Sequence, residues 1–538
     1  MNGRGRRVAV PTLVTVVCLL LGGCVSIPGS GPVVDARRVE HGPGGVVVVL
    51  PAGPSLDATP RDLIRDFLRA AAAFTNDHEV ARSFLVPEQR LSWRPDSPVV
   101  IYPNEDTLSI SVTRGNLPVP EPAVAGPTPA ATSTPRNIAQ PTGRATAKAA
   151  AKLSAAQAAA KASAQAASSL DSAPPTVGEL AKVTVKVPVQ ARVDSTGQYT
   201  VSPAGDVEIR HFELIGTEQG WRVASLDDGI LVKRADFAGA FRDLPLYFAD
   251  ATDSYLVPDV RWFPISGTTA TPSTLVATLL TGASAWLHPA VISGAPPGTE
   301  PTINAVKVQD GVATVDLTSS VRTADGRQRQ MLHAQLDRTL TTLSQLGILV
   351  NSVVITVEQQ RFELQPAPVQ SAAPRADSES GAQLRPSPPV DPRPVVIDAR
   401  GAVARLIGST SVPVAGLAAL ALPGAVAPAV DAGGQNYAVL VAGRTKLLHA
   451  VPSGVAVPLI RGRDLVAPSF DPFGWVWSGQ AVSGGVLYAA RPLAAPAVVK
   501  APWLIGARIL SLRMSREGAR AVLVLDRPGT GPEVYVCG

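Results

Sequence analysis

The first apolar pattern with the period of a helix lies between residues 59 and 74. Thr59 can cap this helix, Pro60 suits its first position, and Asp62 complements its dipole. The apolar residues that share one face are Leu63, Ile64, Phe67, Leu68, Ala71 and Phe74. The pattern therefore predicts a helix that packs against another element, followed by a shorter helix over 80–84 that ends at Pro87.

Alternating apolar and polar residues predict strands around these helices. The predicted strands span 46–50, 107–113, 181–193, 211–217 and 221–225, and a tight turn at 218–220 joins the last two. Together these elements predict an α+β domain over 46–242, in which a helix pair packs against a curved sheet. This arrangement is similar to the nuclear transport factor 2 folds.

An insertion with few large apolar residues interrupts this domain at 117–175. Residues 117–145 are rich in Pro, Thr and Ala, and residues 146–170 are nearly all Ala with Lys, Gln and Ser. Such a segment cannot bury an apolar face, so we predict a solvated helical or disordered insertion. A tolerated surface insertion is the favoured interpretation, and contact of its cations with anionic head groups is the alternative. These cations are Arg136, Arg144, Lys148, Lys152 and Lys161.

A second unit, predicted over 243–365, combines helical and strand patterns. A short helix over 275–280 ends at Gly282, and strands at 303–308 and 312–317 flank a hairpin turn. A longer helix over 328–346 carries a leucine stripe, Gly347 stops it, and a strand over 350–357 follows. These elements predict a two-layer α/β domain in which the stripe is core rather than a zipper.

A proline-rich linker at 366–394 leads into a region of short apolar strands. Gly434, Gly474 and Gly518 each precede a strand, and their spacing fits the roughly 40 to 45 residues of a propeller blade. The sequence therefore predicts an all-β, propeller-like region over 395–538. Only three units are visible, whereas propellers usually have at least four blades, so we expect a partial propeller whose C-terminus is truncated within a blade.

The chain begins with the pattern of an export signal. Basic residues precede an apolar run from Val8 to Leu21, which is shorter than the roughly 20 residues that span a bilayer. The following Leu21-Gly22-Gly23-Cys24 resembles the lipobox of bacterial lipoprotein precursors. This resemblance implies that residues 1–23 are removed and that Cys24 carries an N-acyl group and S-diacylglycerol, with 24–45 as a tether. The alternative is an ordinary signal peptide with an incidental cysteine.

The cysteine count and the net charge bear on two features, internal disulfides and a nucleic-acid surface. Cys18 leaves with the signal and Cys24 would be acylated, so Cys537 has no partner for an internal disulfide. Removal of residues 1–23 lowers the formal charge from +5 to +2, because three arginines and no acids are lost. The basic pI therefore does not indicate a nucleic-acid surface.

Motifs for catalysis or cofactor binding are missing from the sequence. No HExxH, Cys-x-x-Cys, P-loop, Gly-x-Ser-x-Gly or Ser-x-x-Lys pattern occurs, so we predict no metal, no cofactor and no enzymatic activity. Asp250 and Asp253 could form a carboxylate pair, but we expect both to be solvated in a loop. His333, beside the leucine stripe, is predicted to be a helix-surface residue rather than a base.

Several stretches together resemble one family, the actinobacterial lipoprotein LpqB. The resembling stretches are 24–28 with 31–33, 246–248 with Leu256-Val257-Pro258-Asp259-Val260-Arg261-Trp262, 467–477, and 512–520. Residues 279–282 and 310–317 look like a GerMN domain, known from spore germination proteins. Two departures are the Ala-rich insertion, which is not a family feature, and the end of the chain within a blade.

The resemblance implies a role in envelope signalling. Proteins of this family are thought to associate with the extracytoplasmic part of the sensor histidine kinase MtrB of the MtrAB system, and to influence cell wall homeostasis and division. We therefore expect a lipoprotein on the extracytoplasmic face of the membrane with an MtrB-like kinase as partner. The alternatives are a binder of cell wall glycan or peptide and, less favoured, an envelope hydrolase.

Overall fold

The computed structural model describes residues 39–41, 47–49, 51–115, 175–362 and 384–538. Within these ranges it leaves gaps at 75, 97, 266–269, 304–305, 386, 418–421, 423, 453, 483 and 530. The predicted signal segment, the lipid attachment at Cys24, nearly all of the Ala-rich insertion and most of the proline-rich linker lie outside the described residues.

Three helices open the N-terminal domain, which covers 51–240. The helices are α1 (Pro60–Ala71), α2 (Glu79–Ser83) and α3 (Pro87–Ser92). An antiparallel strand pair precedes them, formed by β1 (Val39–His41) and β2 (Val47–Val49). The predicted first helix is confirmed, and the Thr59 hydroxyl accepts a 3.2 Å hydrogen bond from the backbone of Asp62. The predicted second helix is α2, which ends before Pro87. Pro87 also begins a further helix, α3, because proline fits the first helical turn.

Two four-stranded sheets complete this domain. The strands are β3 (Val99–Tyr102), β4 (Ser109–Arg114), β5 (Leu180–Pro188), β6 (Ala191–Val193), β7 (Tyr199–Val201), β8 (Val207–Thr217), β9 (Gly220–Leu226) and β10 (Ile230–Lys233). One sheet has the order β4-β5-β8-β9 and the other β10-β3-β6-β7, with β10 and β3 parallel. The predicted strand over 181–193 is thus two strands in different sheets. A short helix, α4 (Arg234–Ala240), ends the domain.

The core of the N-terminal domain lies between α1 and the sheets. Phe67 of α1 contacts the rings of Phe84, Trp93 and Phe212 at centroid distances of 5.4 to 6.1 Å. These aromatic side chains are buried and fill the space between the helix and the sheet. The apolar face predicted for this helix is therefore core.

The Ala-rich insertion leaves the domain at the end of a paired hairpin. Strands β4 and β5 pair without interruption from Ser109 opposite Lys186 to Arg114 opposite Ala181. The amide of Gly115 then donates a 3.3 Å hydrogen bond to the carbonyl of Leu180. Gly115 and Leu180, which lie on either side of the insertion, are therefore neighbours at the end of this strand pair.

In its described residues, the middle domain (241–362) has two sheets and two α-helices. Its elements are β11 (Phe241–Asp250), β12 (Leu256–Pro264), α5 (Ala270–Thr281), β13 (Val291–Ile292), β14 (Lys307–Gln309), β15 (Val312–Leu317), α6 (Gly326–Thr341), β16 (Ser352–Val357) and β17 (Gln360–Arg361). The sheets have the orders β12-β11-β13 and β14-β15-β16-β17. Strands β15 and β16 are parallel and are connected through α6.

The leucine stripe of the middle domain is core, as predicted. Leu332, Leu336, Leu340 and Leu343 are buried, and Leu346 packs against the same cluster. Gly347 ends the helical segment with a φ of +76°, a conformation that glycine adopts without strain. The long hairpin of β11 and β12, which holds much of this core, was not predicted.

The C-terminal region, residues 384–538, consists of four small antiparallel sheets in the described residues. Sheet 1 holds β18 (Val395–Ile397), β19 (Val403–Ile407) and β20 (Thr410–Pro413), and sheet 2 holds β21 (Val426–Val430), β22 (Tyr437–Val441), β23 (Lys446–Ala450) and β24 (Val457–Arg461). Sheet 3 holds β25 (Ser469–Phe470), β26 (Val476–Gly479), β27 (Leu487–Ala490) and β28 (Ala497–Val498), and sheet 4 holds β29 (Arg508–Met514), β30 (Ala521–Arg527) and β31 (Gly531–Cys537).

A recurring turn joins the first two strands of each sheet. In sheets 2 and 3, Asp431 and Asp471 accept backbone hydrogen bonds across the turn at 2.9 to 3.0 Å, and each precedes the predicted glycine by three residues. Sheet 1 has the same turn at Asp398 and Gly401, which the glycine spacing alone did not reveal. The expectation of three visible units is therefore wrong, because the described residues contain four.

Shortening the insertion should leave the N-terminal domain intact. We expect a chain in which residues 118–173 are replaced by Asn-Gly to unfold at the same or a slightly higher urea concentration. Each halving of a closed loop saves only about 0.6 kcal/mol, so the change should be small and favourable. Unfolding followed by tryptophan fluorescence measures it, and a loss of more than about 2 kcal/mol would show that the inserted residues support the sheet.

Candidate functional site at the junction of the domains

A buried ion pair lies on β12, an edge strand of the three-stranded sheet in the middle domain. Asp259 and Arg261 occupy alternate positions of β12, so both side chains are on one face of the strand. Nη2 and Nε of Arg261 donate to Oδ2 of Asp259 at 2.7 and 3.1 Å. Both residues are 1% exposed. A pair of charges this deeply buried costs free energy unless every polar atom finds a partner.

Partners from two other parts of the chain surround this pair. Arg261 also donates to the carbonyl of Thr196 at 2.9 Å and to that of Gly282 at 3.1 Å. Asp259 accepts from the backbone amide of Ser284 at 2.8 Å and from its hydroxyl at 2.8 Å. Thr196 belongs to the N-terminal domain, whereas Gly282 and Ser284 follow α5. The ion pair therefore ties the N-terminal domain to the end of a helix in the middle domain.

The turn that carries Thr196 is shaped to fit against β12. Asp194 accepts from the amides of Thr196 and Gln198 at 2.8 and 3.0 Å. Gly197 has a φ of +80°, and a Cβ atom there would lie 2.8 Å from the carbonyl oxygen of Trp262. The amide of Trp262 donates to the carbonyl of Gly197 at 2.7 Å. Only glycine combines this backbone conformation with so close an approach.

Aromatic side chains cover the same junction. Trp262 lies 5.6 Å from Tyr199 and 5.1 Å from Phe237, measured between ring centroids. Phe237 stacks on Phe241 at 4.5 Å, and Phe241 contacts Phe74 at 4.7 Å. This cluster continues from the core of the N-terminal domain onto β12, so apolar burial reinforces the polar contacts of Arg261.

A neutral histidine lies at the inner end of this cluster. His78 is buried edge-on against Phe74, with ring centroids 4.9 Å apart. Burial lowers the pKa of His78 below its usual value, although the nearby carboxylates of Asp96 and Asp77 oppose that shift. The imidazole is therefore neutral near pH 7. The unfolded chain takes up this proton more readily, so the contribution of His78 to stability falls as the pH drops below about 6.5.

The other end of β12 meets the C-terminal region. Nη1 of Arg520, in the turn between β29 and β30 of sheet 4, donates to the carbonyl of Pro258 at 3.0 Å. The ring of Tyr255 lies 6.2 Å from Phe473 of sheet 3, and the amide of Leu256 donates to the carbonyl of Arg385 at 2.8 Å. One strand thus contacts the N-terminal domain near Arg261 and the C-terminal region near Pro258.

An apolar cleft of about 400 Å³ lies beside this junction. The turn after β11 forms one wall, at Asp250 to Thr252, and sheets 3 and 4 form the others. Aromatic and aliphatic side chains dominate these walls, including Phe473, Trp477, Trp503, Leu512 and Met514. Phe473 and Trp503 remain 39% and 42% exposed. The volume and lining are those of sites that bind ligands or anchor side chains of partners.

The acids considered from the sequence have separate structural roles. Asp250 is 2% exposed rather than solvated as expected, because the turn buries it. Its carboxylate accepts from the amides of Thr252, Ser254 and Tyr255 at 2.6 to 3.0 Å, which closes the hairpin between β11 and β12. Asp253 forms an ion pair with Arg327 instead. The two carboxylates therefore do not face a common substrate position.

His333 is not brought to either acid. Its Nε2 lies 3.2 Å from the carbonyl of Val353 in the neighbouring strand β16. The described residues bring no three His, Cys, Asp or Glu side chains together in a way that could hold a metal ion. None of the helices in the described ranges has the length and apolar character needed to span a bilayer.

Asp259 and Arg261 belong to a stretch that resembles the family, but the sequence alone predicted no role for them. The signal that could have identified them is a pair of opposite charges two residues apart in a strand that is otherwise mostly apolar. Such charges share a face and are buried only when they pair. Their partners, Thr196 and Ser284, lie far away in the sequence and required the fold.

Removing one charge of the pair should destabilise the junction strongly. We expect Arg261→Met to lower the free energy of unfolding by about 3 to 5 kcal/mol, because Asp259 stays buried with its counter-ion removed. The double variant Asp259→Leu with Arg261→Met should lose less than the single variant. Urea unfolding measures both, and a single variant within about 1 kcal/mol of the original chain would contradict this role.

Three family models match successive parts of the chain. Residues 53–165 and 128–238 match the model described as "Lipoprotein LpqB, N-terminal domain". Residues 245–363 match "Sporulation and spore germination", and residues 401–538 match "Lipoprotein LpqB beta-propeller domain". The matches follow the order of the N-terminal domain, the GerMN-like middle domain and the C-terminal region.

Curated relatives with the name Lipoprotein LpqB align with the chain. The protein of Thermobifida fusca is 28% identical over 64% of this chain and 46% of its own length. The protein of Mycolicibacterium smegmatis is 25% identical over 96% of this chain and 78% of its own length. That of Streptomyces avermitilis is 26% identical over 98% and 79%. The chain spans about half the length of the Thermobifida relative.

The solved first GerMN domain of the sporulation protein GerM from Bacillus subtilis is 17% identical to the part of this chain that it matches. The match covers 25% of this chain and 99% of the solved domain, with a TM-score of 0.18. The family model, and not this likeness, identifies the middle domain. With LpqB models matched at both ends and relatives aligned over nearly the whole length, the chain belongs to the LpqB lipoprotein family.

Proposed function

We propose that this protein is a lipoprotein anchored through Cys24 to the extracytoplasmic face of the cell membrane, where it is an accessory partner of a sensor histidine kinase of the MtrAB type. In this role it influences cell wall homeostasis and division. Membership of a family named for lipoproteins supports the membrane attachment. The kinase as partner comes from the family resemblance of the sequence.

The observation that carries the proposal is the joining of three domains on β12. Polar contacts of Arg261 and Arg520 and the ring contacts of Trp262 hold neighbouring domains against one strand. A partner would therefore meet a single preformed surface, which lowers the entropy lost on binding. The acids considered for catalysis, Asp250 and Asp253, are engaged in a turn and an ion pair, which favours binding over catalysis.

The apolar cleft at the junction is the surface we assign to the kinase. Protein interfaces depend on a few aromatic anchors in places that become fully desolvated. Phe473 and Trp503 are large aromatic side chains on the cleft wall that remain partly exposed. An apolar segment of the kinase's extracytoplasmic domain would bury both rings and contact the middle domain and sheets 3 and 4 at once.

Loss of the acylated cysteine should release the protein from the membrane. We expect Cys24→Ser to move the protein from the membrane fraction to the soluble envelope fraction, because two or more acyl chains provide the anchoring free energy. Fractionation with mass spectrometry of the mature N-terminus measures this. The unmodified chain is the control, and a variant that stays as firmly bound would contradict attachment at this residue.

Truncation of the cleft aromatics should weaken kinase binding. We expect Phe473→Ala with Trp503→Ala to reduce the affinity for the purified extracytoplasmic domain of an MtrB-like kinase by at least about 30-fold, since each hot-spot side chain contributes about 1 kcal/mol or more. Calorimetry with the Cys24→Ser chain measures the affinity.

A matched control removes exposed apolar side chains elsewhere. Leu91→Ala with Val201→Ala alters two exposed positions of the N-terminal domain and should leave kinase affinity unchanged. No binding by the original chain would contradict the proposed function. Equal binding by the original chain and the cleft variant would contradict the assigned surface, provided that both unfold at the same temperature.

A further inference from the structure

Four exposed cations lie at one end of sheet 2. Arg444 and Lys446 lie on and beside the turn between β22 and β23, and Arg461 and Arg463 lie where the chain leaves β24. Backbone hydrogen bonds of 2.8 to 3.0 Å hold these two segments together, from Gly462 to Thr445 and from Leu465 to Arg444. We call Arg444, Lys446, Arg461 and Arg463 the basic end.

The charges of the basic end are poorly compensated. Lys446 and Arg461 are direct cross-strand partners, an arrangement in which like charges destabilise a sheet. Asp464 is the acid of this segment, and it lies 3.4 Å from Arg444. Within the described residues, Lys446, Arg461 and Arg463 form no ion pair with an acidic side chain. A concentration of positive charge that the fold does not neutralise can attract an anionic partner.

The position of the basic end limits which partner it can meet. In sheet 2 the turn at Asp431–Gly434 lies at one end of the antiparallel strands, and the basic end lies at the other. The equivalent turns of sheets 3 and 4 supply Phe473, which contacts Tyr255, and adjoin Arg520, which contacts Pro258. The basic end therefore points away from the middle domain.

The anchor proposed above determines on which side of the membrane the basic end lies. The lipid would be attached ahead of the N-terminal domain, which meets β12 near Arg261, whereas the C-terminal region meets β12 near Pro258. The order of contacts is therefore N-terminal domain, middle domain, C-terminal region, and then the basic end. On the outer face of the membrane, an exposed end that lies away from the middle domain is accessible to polymers of the cell wall.

We propose that the basic end binds an anionic polymer of the cell wall, one that carries phosphate or carboxylate groups along its length. Repeated charges on such a chain can engage several of the four cations at once, so that weak individual contacts add. The location of the basic end on the cell-wall side of the membrane rests on the proposed lipid anchor. The capacity to bind the polymer rests on Arg444, Lys446, Arg461 and Arg463 alone, and so can be tested without the anchor.

The test measures co-sedimentation of the Cys24→Ser chain with purified cell walls, before and after acid removal of their anionic polymers. We expect binding to the untreated walls that weakens with salt, and little binding to the stripped walls. Replacement of Arg444, Lys446, Arg461 and Arg463 by Gln together should weaken binding about tenfold or more, on the scale known for cations at anionic surfaces.

A control variant removes the same charge from other exposed positions. The control variant carries Arg322→Gln, Arg361→Gln, Arg400→Gln and Arg516→Gln. It has the same net charge as the basic-end variant but keeps the basic end, so its wall binding should stay within about twofold of the original chain. Both variants are compared by thermal unfolding. Since neither the anchor nor the kinase takes part, a negative result here leaves the proposed function standing.

Three results would overturn the proposal. The first is equal wall binding by the basic-end variant and the original chain. The second is binding that survives removal of the anionic polymers. The third is salt-sensitive binding only to vesicles of equal parts phosphatidylglycerol and phosphatidylcholine, which would place the basic end on the membrane.

Discussion

The architecture of this protein depends on two opposite charges buried in one strand. Asp259 and Arg261 are almost without solvent contact, so every one of their polar atoms needs a partner in the protein. The partners are the ends of a turn and of a helix, at Thr196 and at Gly282 to Ser284. Because a missing partner would leave a charge unpaired, these segments are held at one distance and in one register. The ion pair thus fixes the relative position of these segments more than it adds to the stability of the fold.

The remaining contacts at the junction follow from this fixed position. Once the turn of the N-terminal domain is fixed against β12, Gly197 is required at the closest approach and Trp262 can enter the aromatic cluster. Nearer the beginning of the same strand, the carbonyl of Pro258 accepts a hydrogen bond from Arg520. The cleft then forms where the β11–β12 turn faces sheets 3 and 4. The cleft is in this way placed beside the strand that joins the domains.

Local patterns predicted the elements that local physics determines. The cap at Thr59, the leucine stripe of α6 and the stop at Gly347 each depend on neighbours within one or two helical turns, and all are present. The short strands β3 and β10 escaped prediction because their parallel pairing is made over a long sequence separation. The first sheet of the C-terminal region was missed for a different reason. Its turn repeats the Asp and Gly at positions 398 and 401, but the spacing of the glycines alone does not identify it.

The candidate site was the part least accessible from the sequence. Asp250 was expected in solvent because loops are usually exposed, yet three backbone amides and the turn around them bury it. Asp259 and Arg261 stood in a recognised motif, but a charge pair in a strand has the same spacing whether it lies in solvent or at a domain junction. The cleft combines residues of the middle domain with residues of sheets 3 and 4, and the basic end forms only where the β22–β23 turn lies beside the end of β24, so no short sequence pattern identifies either.

The central claim is that β12 holds the N-terminal and middle domains as one unit. The most direct measurement is the distance distribution between spin labels at Leu91 and Leu349, which are 93% and 61% exposed in these two domains, in a chain whose Cys24 and Cys537 are replaced by Ser. We predict one narrow distance peak from double electron–electron resonance. A broad or multiple distribution would mean that the domains move independently and would contradict the account.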